Sequence, residues 1–181
     1  MTVIKIENIV AHTHVTDGLD LEFLSEKIHD ASYNPDDFNG LSLKYEAPKV
    51  AVIIMSSGNL FCTGAKKMDD VNSVIKKTVS KLKKIKISIN KGYKIITENV
   101  VASTDFEQEM QLSSISRGLI MQHVEYEPEK FPGLIYKTDD SCEVLILFSS
   151  GKLVCTGAKS INDAEKAINL MKEKLTSLGA L

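Results

Sequence analysis

The sequence predicts an α+β fold built from two copies of one unit, each an antiparallel sheet with helices on one face. Two observations predict it. An internal repeat spans nearly the whole chain, and each copy alternates strand-like and helix-like apolar periodicity. A third observation, apolar residues on both faces of the central strands, predicts that the helix-free face is a binding surface.

The repeat is plain on inspection. SSGNLFCTGAK, from Ser56 to Lys66, returns as SSGKLVCTGAK, from Ser149 to Lys159, with nine of eleven positions identical. Extended back to Tyr33 and Tyr126, the match holds at 16 of 34 positions. It includes Pro35/Pro128, Phe38/Phe131, Gly40/Gly133, Leu41/Leu134 and Lys44/Lys137. Near the start, IENIVAHT (Ile6 to Thr13) returns as TENVVAST (Thr97 to Thr104). Repeats of this kind mark duplicated architectures. The expected division is 1–90 and 91–181, fused into one domain.

Each copy reads in the same order. Residues 3–15 alternate and are rich in Val and Ile, which predicts a strand. Asp17-Gly18 breaks it. Leu21, Leu24 and Ile28 recur at helical spacing and predict a helix near 20–31. Residues 33–40 carry turn chemistry. Three short strands follow at 41–46, 50–56 and 60–63, with Ser57-Gly58-Asn59 as a hairpin turn. Asp69 or Asp70 is the expected cap of a long helix whose apolar face is Val71, Val74, Ile75, Val79 and Leu82. The second copy ends in a helix near 162–177.

Side chains alternate between the faces of a strand. Val50 to Met55 are nevertheless all apolar, as are Val144 to Phe148. Such strands are expected where both faces are covered, but the helices suffice for one face only. The other face is either packed against a second sheet or a second chain, or it is a large apolar binding surface.

Composition excludes several classes. Hydrophobic residues make up 43% and charged residues 25%, ordinary for a globular protein. No apolar run reaches the roughly 18 residues of a membrane helix, and the N-terminus lacks a signal-peptide pattern, so an intracellular protein is expected. Cys62, Cys142 and Cys155 make a poor disulfide framework and have no zinc spacing. His12 and His14 alternate on a strand without further ligands nearby, so no metal or other cofactor is expected. Gly58 to Lys66 misses the spacing of a phosphate-binding loop, and no catalytic constellation emerges. The net charge of −2 does not exclude nucleic acid, because one face can be basic on an acidic molecule.

Three motifs occur twice and in order: ENxVA, YxPxxFxGL and SSGxxxCTGAK. Together they resemble the core of the TATA-box-binding protein family over almost the whole chain. The resemblance implies a curved antiparallel sheet, a saddle with helices on its convex face. The chain lacks a long N-terminal extension, which resembles archaeal members more than eukaryotic ones and implies a cytoplasmic, nucleoid-associated protein. The implied function is non-enzymatic. The protein would bind TATA-box promoter DNA in the minor groove, bend it, and nucleate assembly with transcription factor B and RNA polymerase.

The resemblance assigns residues. Asn8 and Asn99 match asparagines that bond bases at the centre of the site. Thr63 and Thr156 match hydroxyl contacts. Val10, Val101 and Val154 match the apolar floor, although sheet packing alone also accounts for valines there. Phe131 and Phe148 match one wedge pair, with Pro132 beside them. Phe38 matches half of the other, and Met55 stands at its partner position. Wedges of this kind kink a duplex by unstacking a base step. Phe38 and Phe131 could instead be core anchors. Phe61 replaces a smaller floor residue.

Lys44, Lys66, Lys137, Lys152 and Lys159 are the expected phosphate contacts, while Asn59 stands where the second copy has Lys152. Glu127, Glu129 and Lys130 resemble the docking turn for transcription factor B, or form a solvated loop. The expected form is a monomer on DNA; for the free protein a monomer and a dimer through the open face both stay open. The alternative is a diverged paralogue that works as a regulatory or protein-interaction module with weak TATA preference.

Overall fold

The computed structural model describes residues 3–119, 123–138 and 143–181. Cys142 lies outside them. The chain divides into two compact units, residues 8–98 and residues 1–7 with 99–181. Among the described residues the element order is β1 (Lys5–His14), α1 (Leu21–Lys27), β2 (Ala31–Asn34), β3 (Phe38–Glu46), β4 (Lys49–Ile54), β5 (Asn59–Ala65) and α2 (Met68–Lys84). The second copy follows with β6 (Ile96–Asp105), α3 (Leu112–Gly118), β7 (Val124–Glu125), β8 (Gly133–Lys137), β9 (Val144–Phe148), β10 (Lys152–Ala158) and α4 (Ile161–Ser177). No helix among them is long and apolar enough to cross a membrane.

In the first unit the sheet order is β2-β3-β4-β5-β1, and in the second it is β7-β8-β9-β10-β6. All these pairings are antiparallel. The expected α+β class with a duplicated unit is the class observed.

Each sheet has a packed face. Val50, Val52 and Ile54 of β4 and Leu60 and Cys62 of β5 are buried under α2. From the helix side come Val71, Val74, Ile75, Val79 and Leu82, the stripe that the heptad-like spacing predicts. Burying each such side chain is worth about 1.5–3 kcal/mol. Tyr45 reaches from β3 to the same helix. Thr78 Oγ1 gives its hydrogen to the Val74 carbonyl at 2.9 Å, so in the 2.8 Å contact between them the Tyr45 hydroxyl is the donor. In the second unit Leu145, Leu147, Leu153 and Cys155 meet Ala164, Ala167, Ile168, Met171 and Leu175 of α4.

Four expectations need correction. The first helix ends at Lys27 rather than near residue 31, although Ile28 is still buried as its C-cap residue. The chain after it is taken by β2, which pairs Ala31 with Leu43 and Asn34 with Phe38. The expected turn over 33–40 is therefore only the tight reversal between β2 and β3. Each unit gains a fifth strand, β2 or β7, polar in sequence and held at the sheet edge by its neighbour's hydrogen bonds. Finally, neither Asp69 nor Asp70 caps α2. Lys67 occupies that position without a side-chain bond, and the aspartates sit in the first turn, where the helix dipole favours them.

Candidate nucleic-acid interface

The strands that are buried on one side are only half-buried on the other. In the first unit the alternate residues are Asn8, Val10 and His12 on β1, Phe61 and Thr63 on β5, and Ala51 and Ile53 on β4, with Met55 just beyond it. In the second they are Asn99 and Val101 on β6, Val154 and Thr156 on β10, Val144, Ile146 and Phe148 on β9, and Ile135 on β8. Among the described residues, each unit therefore presents an apolar sheet face that no helix covers, and the sequence-predicted floor residues Val10, Val101 and Val154 lie on it.

The two asparagines sit at the same irregularity in the two units. Ile9 pairs with Ala65 and Ala11 with Cys62, so β5 carries one extra residue there. Val100 and Ala102 pair with Ala158 and Cys155, the identical bulge. At each bulge stands a glycine with positive φ, Gly64 at +96° and Gly157 at +89°, a conformation that other residues adopt only under strain. The bulge turns the glycine N–H away from the ladder. Gly64 donates to Asn8 Oδ1 at 2.7 Å, and Gly157 to Asn99 Oδ1 at 2.7 Å.

This fixes which way each amide points, because a backbone N–H needs the oxygen. Each Nδ2 then donates one hydrogen to a threonine hydroxyl, Asn8 to Thr63 at 3.3 Å and Asn99 to Thr156 at 3.4 Å. The second amide hydrogen is left for a ligand. An apolar face with outward amide donors suits the minor groove of A·T pairs, which offers acceptors alone, and disfavours the protruding amino group of guanine.

Phe38 and Phe131 are 52% and 37% exposed, which removes the core-anchor alternative for both. Each ring lies over a glycine. A Cβ on Gly40 would stand 2.3 Å from Phe38 Cε1, and one on Gly133 2.7 Å from Phe131 Cε1. The recurrence of FxG in both copies has this packing as its cause. Phe131 and Phe148 meet edge to face at 6.1 Å between centroids, with Pro132 exposed beside them. Met55, at the equivalent of Phe148, is half-buried.

Lys44, Lys66, Lys137, Lys152 and Lys159 are all exposed. Lys137 is paired with Glu125 and must exchange that partner to meet a phosphate. At the first unit's β4–β5 hairpin, Asn59 faces His14, whose Nδ1 lies 3.1 Å from Asn59 Oδ1 and whose Nε2 lies 3.1 Å from Asp17 Oδ1. The hydrogen bond to Asp17, then that to Asn59, raises the His14 pKa above its ordinary value. A titratable cation thus stands beside the position where the second unit has Lys152. The tight turns need glycine: Gly58 has φ of +84°, and a Cβ there would meet the Thr16 carbonyl at 1.7 Å.

Glu127, Glu129 and Lys130 lie in an exposed turn next to Phe131. Glu127 holds it closed, accepting backbone N–H bonds from Lys130 and Phe131 at 2.9 Å each and pairing with the Lys130 ammonium. Among the described residues no group of three or more His, Cys, Asp or Glu is placed to hold a metal ion.

Sequence reasoning missed Ile53 and Ile146, His12, and the two bulge glycines. The isoleucines share strand parity with Met55 and Phe148, so alternation alone could have found them. The glycines could not be found that way, because a bulge belongs to a strand pair.

The comparisons with known proteins agree with this geometry. The family model described as transcription factor TFIID (or TATA-binding protein, TBP) matches residues 3–85 and 94–178. The TATA-box-binding protein of Archaeoglobus fulgidus is 42% identical over 178 residues, covering 98% of this chain and 97% of that one. That of Picrophilus torridus is 43% identical over 181 residues, covering 100% of this chain and 98% of its own. The solved structure of Methanococcus jannaschii TBP matches with a TM-score of 0.84 at 39% identity, over 96% of this chain and 98% of that chain. By sequence across both repeats and by fold, the chain belongs to the TATA-binding protein family of transcription factors.

Proposed function

We propose that this protein is a non-enzymatic transcription initiation factor that binds TATA-box promoter DNA in the minor groove and bends it. One observation carries the reading: two apolar, helix-free sheet faces, each with an asparagine amide locked by a bulge glycine so that its donor points outward. Phe38 with Met55, and Phe131 with Phe148, are the wedges. Lys44, Lys66, Lys137, Lys152 and Lys159 neutralise phosphates. The turn at Glu127, Glu129 and Lys130 docks transcription factor B, through which RNA polymerase is recruited. The protein works in the archaeal manner, in the cytoplasm on the nucleoid, as a monomer on DNA, and its apolar faces support a dimer when free. A band-shift comparison of a TATA duplex with a G·C-substituted one, with and without transcription factor B, tests this. Equal affinity for both duplexes would sink it.

A second reading has a specific observation behind it. The departures Met55, Asn59 and Phe61 all fall in the first unit. A paralogue with relaxed site preference and a mainly regulatory role fits that asymmetry. In the same band shift it would show weak TATA discrimination but intact binding of a protein partner.

A further inference from the structure

Charge is distributed very unevenly along this chain. Residues 66–94 hold ten lysines and two aspartates, which leaves 12 basic and 22 acidic residues for all the rest. The excess is concentrated on α2, on the side turned away from the sheet. Lys76, Lys77, Lys83 and Lys84 are exposed there, and Lys86 is exposed just beyond the helix end. Among the described residues only one lysine of α2 has a carboxylate partner, Lys81 with Asp30. Lys76 and Lys83 are seven residues apart, as are Lys77 and Lys84, so each pair lies along one side of the helix.

The second unit shows that the fold does not need these cations. α4 has the same 17 residues as α2 and packs on the equivalent strands. At the five matching positions it carries Asn169, Leu170, Thr176, Ser177 and Gly179, and it balances three lysines against three acidic residues. The helix dipole favours Lys83 and Lys84 in the last turn of α2. It does nothing for Lys76 and Lys77 in the middle, and Lys77 repels Lys81 four residues on. Lys86 adds an independent sign. Its φ is +66°, and Gly179 at the same place in the second unit has φ of +67°. Glycine takes that conformation freely, whereas a side chain resists it. A lysine therefore stands where the backbone favours glycine.

The occupant follows from what the face offers and lacks. Among the described residues no exposed large hydrophobic side chain lies between 66 and 94. Protein partners are gripped by aromatic or other apolar anchors, and lysine is depleted in such interfaces. A phosphate backbone needs no anchor, only cations in a row. Seven residues of helix span about 10 Å, a length over which one DNA strand carries about three phosphates.

We propose that the lysine face of α2, with Lys86, is a second DNA-binding surface that holds a separate duplex by its backbone, without sequence preference, while the open sheet face holds the promoter. The promoter half of this rests on the proposed function, and the lysine face itself does not.

The test saturates the protein with unlabelled TATA duplex and then titrates in a dye-labelled duplex of G·C pairs alone, followed by fluorescence anisotropy over a series of potassium chloride concentrations. The second duplex is expected to bind with a Kd on the order of 10⁻⁴–10⁻⁶ M near physiological salt. A variant with Lys76→Asn, Lys77→Gln, Lys83→Thr and Lys84→Ser is expected to bind it at least about tenfold more weakly, with a log–log salt slope shallower by about 0.9 for each lysine that meets a phosphate. Its affinity for the TATA duplex is expected to stay as in the unmodified protein, because charges farther apart than about 8 Å are screened at physiological salt. Arginine at the same four positions is expected to retain the second duplex. Lys86→Gly is expected to weaken it without lowering the melting temperature. No second duplex on the saturated protein, or equal binding by the four-lysine variant, overturns the proposal. Capture of an oligoglutamate by this face, with no capture of duplex, overturns it in favour of an acidic protein segment. If the unsaturated protein shows no preference for TATA over G·C duplex, yet the four-lysine variant loses most of its G·C binding, the proposed function falls and the lysine face stands.

Discussion

The backbone N–H of Gly64 donates to Oδ1 of Asn8 at 2.7 Å across 56 residues of sequence. Gly157 and Asn99 repeat the bond at 2.7 Å across 58 residues. This bond, rather than the asparagine alone, decides which end of the amide the open face presents. With the oxygen turned to the glycine N–H, the nitrogen is left to donate outward.

Asn8→Asp separates fold from recognition. A carboxylate still accepts from Gly64, so thermal stability is expected to change by no more than about 1 kcal/mol. The outward atom, however, becomes an anionic acceptor facing base acceptors. DNA affinity is expected to fall by roughly a hundredfold, about 3 kcal/mol. Anisotropy titration alongside a thermal melt checks both numbers, and retained affinity would remove Asn8 from the site. Asn99→Asp is expected to match it.

Phe131→Ala tests the wedge. The ring is 37% exposed, so its loss is expected to cost little stability. Under the proposed function its work is at a base step, where unstacking costs a few kcal/mol. Energy transfer between dyes on the duplex ends is expected to report a smaller bend, with affinity reduced as well. Met55→Phe completes the other pair and is expected to increase the bend. An unchanged bend in both variants contradicts the wedge assignment.

Asn59→Lys gives the first hairpin the cation that Lys152 supplies to the second. The slope of log affinity against log salt is expected to steepen by about 0.9, the value for one added phosphate contact. Affinities over a series of potassium chloride concentrations measure it. A slope that does not move places residue 59 away from the phosphates.

Cys62 and Cys155 give a stability prediction. Burial pushes the Cys62 thiol up to about 11. Burial, helped by Glu143, pushes Cys155 up to about 12. The folded state therefore keeps both thiols protonated where the unfolded chain would ionise them, from about pH 8.5 upward. Their contribution is intact below that pH and declines as pH rises toward the folded values. Denaturant midpoints are expected to fall between about pH 8 and pH 10.5, and less steeply in a Cys62→Ala/Cys155→Ala variant. Equal slopes for the two proteins would assign the loss to other groups.

Much of this molecule is local information. The duplication, the α2 stripe of Val71, Val74, Ile75, Val79 and Leu82, and the double-sided apolar strands around Ile53 and Ile146 follow from periods of 3.6 and 2 residues. Side-chain spacing along one segment is enough to state them. From those patterns, with the family resemblance, the sequence by itself determined the α+β class, the two units, the open apolar face and the residue types on it.

What the tertiary structure decided depends on register between distant segments. The bulge that aims Gly64 at Asn8 exists only because β5 has one more residue than β1 between Ile9 and Ala11. The edge strands β2 and β7 have no strong pattern and form because β3 and β8 offer hydrogen bonds. His12 meets Glu98 across 86 positions of chain. Strand pairing sets which groups far apart in sequence share a hydrogen bond, and no period within one strand encodes it.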